Sequence, residues 1–384
     1  MNKTLSKAVL TIVFSSASLS VTAATYSFTI LDGLDDGSTF AYSINNFGQI
    51  VGNSSSADGN SRATLWNNGV ATQLSNPQGI LFSYANFINN LGHIVGSTQT
   101  ESGYSYATLW NNGVVTDISP QGSVFSNAYS INDLGQIVGN SASADGNSRA
   151  MVWNNGVATD ISPQDSVFSN AYSINDLGHI VGNSASADGN SRATLWNNGL
   201  ATVISSQGTV NAINNSGQIV GSTQTESGYS YATLWNDGVA TQLTNQQGIV
   251  FSNASSINDL GQIVGVSLTE DFMARAVLWD NGLEIDLNSF LSASEQSEGW
   301  VLTYAVDIND SGSIVGGAIN TVSNVERGFL LQSAIQPQST PQPQSAFPLQ
   351  AVSPIPEPDS STILLTGLVV MGLMARRRNK AKAV

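Results

Sequence analysis

Short apolar runs alternate with polar turns along almost the whole chain. The segment Ile-Asn-x-x-Gly-x-Ile-Val-Gly occurs seven times, and successive copies begin 39 to 51 residues apart. The first isoleucines of these copies are Ile44, Ile88, Ile131, Ile174, Ile213, Ile257 and Ile308. A period of about 40 to 50 residues is typical of propellers and solenoids. The pattern therefore predicts a single repeat domain.

One unit, residues 127–162, illustrates the elements that the pattern predicts. Its runs of four to six residues are rich in Ile, Val, Thr and aromatic side chains and are separated by Gly, Asn and Asp. Such runs form antiparallel strands joined by hairpins. The Asn155-Gly156 pair after Trp153 is a strong hairpin signal, because both residue types accept a positive φ at low cost. Each unit is thus predicted to supply four strands, the content of one propeller blade.

The two ends of the repeat region complement each other. The last unit has three predicted strands and no fourth, whereas the segment 26–31, Tyr-Ser-Phe-Thr-Ile-Leu, is typical of the fourth strand in the other units. Pairing of the two would close a ring and remove the exposed end faces of an open stack. We expect an all-β fold, a seven-bladed β-propeller over residues 25–331, built from seven repeats of about 43 residues and closed by the N-terminal strand. An open β-solenoid and a differently partitioned barrel are the alternatives.

The N-terminus has the layout of a secretory signal. Lys3 and Lys7 precede an apolar run at 8–14, and small residues follow up to Ala24. This order of a basic, an apolar and a small-residue region predicts a signal peptide over residues 1–24. Residues 332–355, beyond the repeats, are rich in Gln, Pro and Ser and predict an extended or flexible spacer.

The C-terminus, residues 356–384, combines three features. A Pro-Glu-Pro motif is followed by an apolar stretch of 13 residues and then by a basic tail. The motif and the first basic residues are Pro356, Glu357, Pro358, Arg376, Arg377 and Arg378. Because about 20 residues span a bilayer comfortably, the short apolar stretch favours transient insertion into the membrane.

This C-terminal arrangement resembles the PEP-CTERM sorting signal. The resemblance implies that an exosortase-type enzyme cuts near the Pro-Glu-Pro motif after the helix has entered the inner membrane, and that the mature protein is at the cell surface or outside the cell. A transmembrane helix that is kept as an anchor is the alternative.

The repeat unit resembles the HAF family of bacterial extracellular repeats, on Ile-Asn-x-x-Gly-x-Ile-Val-Gly followed by Ala-Thr-Leu-Trp-Asn-Asn-Gly. The resemblance covers nearly all of residues 40–330. It implies export and a repeat fold, and it implies no settled activity. The chain departs from the family by usually placing Arg or Tyr where the family name places His.

The net charge of the chain limits which molecules it can bind. Residues 25–359 contain five Arg, no Lys and all 27 acidic residues, which gives a net charge of −22. A body this acidic repels phosphate backbones, so we expect no nucleic acid as a partner. The chain has no Cys, so disulfides do not stabilise it.

One strand position collects every arginine of the repeat domain. This position lies four residues before each repeat Trp, or before Leu331 in the last unit. We call its residues the Arg/Tyr set: Arg62, Tyr106, Arg149, Arg192, Tyr231, Arg275 and Arg327. A closed ring would arrange them as a circle of five guanidinium groups and two phenols, able to bind carboxylates or acidic sugars. Alternatively, each Arg pairs with an acidic residue of its own or a neighbouring unit.

Two further repeated sets have structural explanations. Each Trp of six units precedes a hairpin turn, where it can stack on sugars or, more simply, anchor neighbouring blades. These residues are Trp66, Trp110, Trp153, Trp196, Trp235 and Trp279. Asp133, Asp176, Asp259 and Asp310 could form an acidic rim that attracts Ca²⁺, although one carboxylate per unit is too dispersed for a single cage.

The sequence offers little for catalysis. The repeat domain has no Cys, no Lys, no metal-ligand spacing and no nucleophile elbow, so we expect no cofactor, no metal and no enzymatic activity. We expect a surface or matrix protein associated with exopolysaccharide or another envelope component. The alternative is a polysaccharide hydrolase or lyase that uses carboxylates breaking the repeat, Glu284, Asp286, Glu295 and Glu298. A structural array without a ligand is a third possibility.

Overall fold

The computed structural model describes residues 26–334 of the chain, except 36, 57–58, 227, 244–247 and 272. This part of the chain forms 28 strands and two short helices, so the prediction of an all-β fold is confirmed. None of its helices has the length and apolar character needed to span a membrane. The predicted signal peptide, the spacer beyond residue 334 and the sorting segment lie outside the described residues.

The strands follow the repeat units. Strand β1 (Tyr26–Ile30) precedes the first unit. The first two units contain β2 (Thr39–Ile44), β3 (Ile50–Ser55), β4 (Ser61–Asn67), β5 (Val70–Gln73), β6 (Ile80–Ile88), β7 (Ile94–Thr100), β8 (Ser105–Asn111) and β9 (Val114–Asp117). The next two contain β10 (Phe125–Ile131), β11 (Ile137–Ala142), β12 (Ser148–Asn154), β13 (Val157–Asp160), β14 (Ser166–Ile174), β15 (Ile180–Ser186), β16 (Ser191–Asn197) and β17 (Leu200–Ser205).

The remaining units follow the same order. The fifth and sixth contain β18 (Gly208–Ile213), β19 (Ile219–Gln224), β20 (Ser230–Asn236), β21 (Val239–Gln242), β22 (Ile249–Ile257), β23 (Ile263–Thr269), β24 (Ala274–Asp280) and β25 (Leu283–Asp286). A 3₁₀ helix (Leu287–Phe290) and helix α1 (Ala293–Ser297) precede the last unit, which contains β26 (Trp300–Ile308), β27 (Ile314–Asn320) and β28 (Val325–Ser333).

Hydrogen bonding organises these strands into five sheets. Three are four-stranded, and two are eight-stranded. Each eight-stranded sheet joins two successive units through a single parallel bridge, Phe125 to Ser105 in one and Ser230 to Phe251 in the other. Within every unit the four strands are antiparallel and adjacent in sequence order, apart from the last unit, to which β1 contributes.

The N-terminal strand completes the last unit. Strand β1 pairs antiparallel with β28 over its whole length, from Tyr26 opposite Ser333 to Ile30 opposite Phe329, as the sequence predicts. The chain then continues to the first unit, where Thr39 Oγ1 donates to the Leu31 carbonyl at 2.8 Å and accepts from the Gly328 amide at 2.9 Å. The first and last units are therefore joined by strand pairing and by buried hydrogen bonds.

The apolar core lies between the units. The described residues form seven apolar clusters, each with side chains from two successive units. In one of them Val51 and Ala63 of the first unit contact Ala85, Ile88 and Trp110 of the second. Another combines Val315 of the last unit with side chains of the first, including Ile44 and Trp66. The packing thus continues around a closed ring, the architecture of a β-propeller.

Turn chemistry agrees with the hairpin prediction. Asn155 and Gly156 have φ values of 49° and 77°, and the same pair of positive angles occurs at the equivalent turn of the other repeats that carry this Asn/Asp-Gly signal. The short side chain of Asn tolerates this conformation and Gly has no Cβ to oppose it, so the strands reverse within two residues.

Candidate functional site

The innermost strand of each unit faces a common axis. The seven repeat isoleucines, and the two residues that follow each of them, line one cavity of about 160 Å³, which we call the asparagine cavity. Side chains from all seven units can line one small cavity only if the strands surround it. The isoleucines are 2–7 % exposed, so they form an apolar layer at this level of the axis.

The invariant asparagine after each isoleucine connects the units. In every unit its Nδ2 donates to the carbonyl of the equivalent asparagine in the next unit at 3.0–3.1 Å, and the last unit donates back to the first. The members of this closed circle are Asn45, Asn89, Asn132, Asn175, Asn214, Asn258 and Asn309. In most units the side-chain oxygen also accepts backbone amides of its own turn, which is the turn role expected of Asn.

A second circle follows one residue later in the sequence. Each backbone amide donates to the side-chain oxygen of its counterpart in the next unit at 2.9–3.0 Å. The members are Asn46, Asn90, Asp133, Asp176, Asn215, Asp259 and Asp310. Asn215 also donates to the carboxylates on both sides, Asp176 at 3.1 Å and Asp259 at 2.9 Å. Neighbouring units thus already bind the carboxylates of Asp133, Asp176, Asp259 and Asp310. The described residues contain no group of three acids or histidines suited to a metal.

A β-bulge changes the direction of one side chain in each innermost strand. The residue two positions before the repeat isoleucine has no partner on the second strand, because the register shifts there in all seven units. The glycine of Ile-Val-Gly allows this bulge: a Cβ on Gly139 would lie 1.9 Å from the Asn127 carbonyl oxygen. Bulges commonly redirect a side chain towards a site. The bulged residues are Tyr42, Asn86, Tyr129, Tyr172, Asn211, Ser255 and Val306.

Five of the bulged residues line a second cavity, of about 330 Å³, which we call the bulge cavity. Its lining consists of Tyr42, Asn86, Tyr129, Tyr172 and Asn211. The rings of Tyr129 and Tyr172 lie 5.7 Å apart at a tilt of 60°. Each asparagine is held by the next unit, since Asn86 Nδ2 donates to the Ala128 carbonyl at 2.8 Å and Asn211 Nδ2 donates to the Ala254 carbonyl at 2.7 Å.

Burial keeps the phenols of Tyr42, Tyr129 and the nearby Tyr304 protonated at ordinary pH. Burial raises the pKa of Tyr42 to about 12, with smaller contributions from Tyr84 and Glu326. Burial also raises the pKa of Tyr129 and of Tyr304, whose hydroxyl donates to Glu326 at 3.2 Å. These hydroxyls can therefore act both as donors and as acceptors.

A buried carboxylate lies where the last unit meets the first. Asp307 is 8 % exposed and accepts hydrogen bonds from the Ile44 amide at 2.9 Å and from Ser256 Oγ at 2.7 Å. Burial raises its pKa and outweighs the hydrogen bonds that favour the charged form. Four other units have Ser at this position, so Asp307 is specific to the seam.

The Arg/Tyr set is spread around the ring and does not meet at the axis. Its members lie at or near the start of the third strand of each unit, at the end of the strands remote from the isoleucines. Arg149 lies 3.6 Å from Asp145, Arg192 binds Asp188, and Arg275 lies 3.9 Å from Asp271, in each case an acid four residues earlier.

The other members of the set have different surroundings. Arg62 Nη1 donates to the carbonyl of Leu81 in the next unit at 2.6 Å, and Arg327 donates to the Glu326 carbonyl at 3.1 Å. The Tyr231 ring lies 6.3 Å from the ring of Tyr229. The structure therefore supplies acidic partners within the same unit for Arg149, Arg192 and Arg275.

Hydrogen bonds fix the four carboxylates of the irregular stretch. Glu284 accepts from the Trp279 indole at 3.1 Å and from Ser267 at 3.0 Å. Asp286 caps the 3₁₀ helix, and Glu295 completes a capping box with Ser292 at the start of α1. Glu298 accepts from Ser294 Oγ at 3.3 Å. Each acid thus has a structural role in its own segment.

The repeat tryptophans are buried anchors. All six are 1–3 % exposed, so they cannot stack on a sugar from solvent. The indole N–H groups of Trp66, Trp110 and Trp196 also donate to carbonyls in the connection before their unit, each at 2.7 Å. The anchoring interpretation of these residues is confirmed.

The repeat pattern of the sequence does not reveal the bulge cavity. Its signal is the position two residues before the repeat isoleucine, which varies among Tyr, Asn, Ser and Val while the following asparagine is the same in every unit. Polar and aromatic variation within an otherwise repeated strand could have marked these residues. The β-bulge that makes them converge is not visible in a strict alternation pattern.

Comparisons with known proteins bear on the fold. No protein-family model and no curated protein matches the chain. A solved prolyl endopeptidase aligns with 80 % of this chain and 50 % of its own, at 8 % identity and a TM-score of 0.50. The β-propeller domain of the trilobed protease of Pyrococcus furiosus covers 65 % of this chain and 83 % of its own, at 11 % identity and a TM-score of 0.48. TolB from Acinetobacter baumannii covers 72 % and 76 %, at 10 % identity and a TM-score of 0.41. At these identities the likeness concerns the fold and no activity.

Proposed function

We propose that this chain is an exported protein of the cell surface or extracellular matrix, and that its repeat domain is a non-enzymatic binding or structural module associated with exopolysaccharide or another envelope component. The observation that carries the proposal is the bulge cavity, a concave polar recess formed by the innermost strands. Recesses with a few convergent polar groups are the usual location of ligand sites. Export and an exosortase-type partner rest on the sequence of the two ends and on the two resemblances.

We infer that the repeat domain has seven blades, one for each four-stranded unit. The count is supported by the seven clusters between units and by the closed circle of asparagines. Each eight-stranded sheet then contains two blades linked by one parallel bridge. Electron-microscopy averages of the full chain, viewed along the axis, test this count. Seven lobes are expected, and another number would contradict it.

The surroundings of the acidic residues favour binding over catalysis. A glycosidase needs two carboxyl groups placed on either side of a bound sugar, usually with the pKa of one of them raised. Glu284, Asp286 and Glu295 instead hold the indole and the helix starts of their own segment. A hydrolase or lyase that uses these residues remains the alternative function.

Retention on immobilised exopolysaccharide, with the polymer length followed in the same samples, tests the function. The full chain is expected to bind and to leave the polymer intact. Shortening of the polymer that disappears in Glu295→Gln or Glu298→Gln variants would support the enzyme instead. Absence of both binding and cleavage would leave a purely structural array.

The Arg/Tyr set is the alternative binding surface. If it binds acidic polymers, the double substitution Arg149→Ala and Arg192→Ala should abolish retention on them, and added salt should weaken it. If the bulge cavity carries the function, the same variant should bind as well as the unchanged chain.

The sorting proposal has a separate test. Mass spectrometry of the protein recovered from the cell surface should find a C-terminus near Pro356-Glu357-Pro358. Recovery of the basic tail with Arg376 in the mature protein would show that the C-terminal segment is kept as an anchor.

A further inference from the structure

We propose that the bulge cavity binds the end of a neutral saccharide chain, one or two sugar units long. This inference rests on the proposed function and adds to it a site and a ligand class. The site consists of the five bulged residues that line the cavity, Tyr42, Asn86, Tyr129, Tyr172 and Asn211. It is distinct from the Arg/Tyr set, which belongs to the third strands.

The dimensions favour a short ligand. The cavity of about 330 Å³ is at the lower end of the range of small-molecule sites, about 300–1,000 Å³. Along the innermost strands it is followed by the layer of repeat isoleucines, which are 2–7 % exposed. A ligand that enters at the bulge level therefore meets an apolar layer below it, and this arrangement favours a chain end over a chain that passes through.

The polar groups match sugar hydroxyls. Asn86 and Asn211 each use Nδ2 to bind the next unit, and their Oδ1 atoms have no partner among the described residues. These oxygens can accept from hydroxyl groups, while neutral tyrosine hydroxyls can both donate and accept. The adjacent Tyr129 and Tyr172 rings add aromatic surface for the C–H face of a sugar.

The charges favour a neutral ligand. The five lining residues are three tyrosines and two asparagines, so no Asp, Glu, Lys or Arg is among them. The charged group that approaches them is Glu326, which lies close enough to Tyr42 to raise its pKa and accepts from the Tyr304 hydroxyl. A carboxylate beside the recess opposes uronic acids and other anionic sugars, whereas a neutral sugar is unaffected.

The arrangement around the axis is asymmetric. The first five units provide Tyr, Asn, Tyr, Tyr and Asn at the bulge, whereas the last two provide Ser255 and Val306, which do not line the cavity. A structural role common to all units would not require these differences, because the bulge forms in every unit. A sugar presents different groups on its different sides, so an asymmetric lining suits it.

The repeats themselves provide substitutions that the scaffold accepts. Ser already occupies the bulge in the sixth unit, so the double variant Tyr129→Ser and Tyr172→Ser is expected to fold. Calorimetry would measure its affinity for maltotriose, cellotriose and mannotriose, with trigalacturonic acid as the anionic probe. The full chain should bind at least one neutral probe more tightly than the anionic one. The double variant should lose about tenfold or more of that affinity, because both aromatic contacts are removed.

A matched control uses the other tyrosine position. Tyr106→Arg places in the second unit the residue that five units already have there, and it leaves the bulge cavity unchanged. Its affinity for the neutral probe should equal that of the unchanged chain. Asn211→Ser, which removes one amide acceptor, should weaken binding less than the double tyrosine variant.

The outcomes separate this inference from the proposed function. Unchanged affinity of the double tyrosine variant would overturn the bulge cavity as the site while leaving the binding function in place. Preference for trigalacturonic acid, lost on Arg149→Ala and Arg192→Ala, would do the same and favour the Arg/Tyr set. Failure of the full chain to bind any neutral probe would also overturn the inference, and retention on polysaccharide would then decide separately whether the function survives.

Discussion

The asparagine cavity and the bulge cavity lie at successive levels of the innermost strands, and they use polar side chains in opposite ways. In the asparagine cavity every unit contributes the same residue, and each Nδ2 bonds the next unit until the circle closes from Asn309 to Asn45. In the bulge cavity the residues differ from unit to unit, and the Oδ1 atoms of Asn86 and Asn211 have no partner among the described residues.

This difference distinguishes two roles that a polar residue can have at a repeated position, a stabilising one and a ligand-binding one. An asparagine whose hydrogen bonds end on its neighbours stabilises the ring and leaves little for a ligand. A polar residue that the bulge turns towards the axis, and that has an unused hydrogen-bond donor or acceptor, is available to bind a ligand. In this chain, the polar residue that is the same in every unit stabilises the closed ring. The position at which the polar residue differs between units marks the candidate site.

Removing the backbone feature that creates the bulge cavity should cause the greatest loss of stability. In Gly139→Ala the new Cβ would lie 1.9 Å from the Asn127 carbonyl oxygen, so the third unit must lose its bulge or move its strands. We expect a loss of about 3 kcal/mol in the free energy of unfolding, measured by denaturant titration. Gly156→Ala is the control, because its surroundings are open and only its positive φ opposes Ala, at about 1 kcal/mol. Equal losses in both variants would contradict the role of Gly139.

A smaller loss of stability is expected when the closed circle of asparagines is broken. Asn132→Ala removes the hydrogen bond to the Asn175 carbonyl and two bonds to Gln136, in a residue that is 4 % exposed. We expect a loss of about 2 kcal/mol in the free energy of unfolding, since buried groups are left without partners. The exposed loop residue Asn147 provides the control, and its replacement by Ala should change little. A loss as small as that of the control would mean that the circle contributes nothing to closure.

A smaller, pH-dependent effect is expected at the seam. Burial raises the pKa of Asp307 above its usual value of 3.8, so the folded protein holds this proton more tightly than the unfolded chain. The resulting stability is complete below pH 3.8 and is lost as the pH rises through the folded-state pKa. From pH 7 to pH 4 the unchanged chain should therefore gain stability relative to Asp307→Ser. Melting temperatures of both proteins at the two pH values measure this, and a constant difference would contradict it.

The smallest effect concerns the Arg/Tyr set. The pair of Arg192 and Asp188 is partly exposed, and such surface pairs contribute little to folding. The pKa of Asp188 is lowered mainly by a backbone hydrogen bond from Asn190, with Arg192 contributing less. We expect Arg192→Ala to leave the melting temperature and the affinity for neutral saccharides unchanged within error. A clear loss of neutral-saccharide affinity would move the site from the bulge cavity to this set.

Much of the fold could be predicted because its determinants are local. The Asn-Gly turns, the short apolar runs and the unpaired strand before the first unit act within a few residues, and the structure has each of them where it was expected. The burial of the tryptophans followed from their fixed position beside a turn. The sites were less predictable, because the Arg/Tyr set and the bulged residues repeat with the same period and the sequence does not say which strand lies at the axis.

Three features can be read from the order of amino acids alone: the repeat, its four strands per unit and the completion of the last unit by the N-terminal strand. These features follow from alternation, turn residues and period, all of which are written along the chain. The sequence does not show which polar groups are hydrogen-bonded to a neighbouring unit and which are free to bind a ligand; this depends on the folded ring. That outcome depends on the distance of each strand from the axis and on a bulge, allowed by a glycine on the neighbouring strand, that aligns Tyr42 and its counterparts around one cavity.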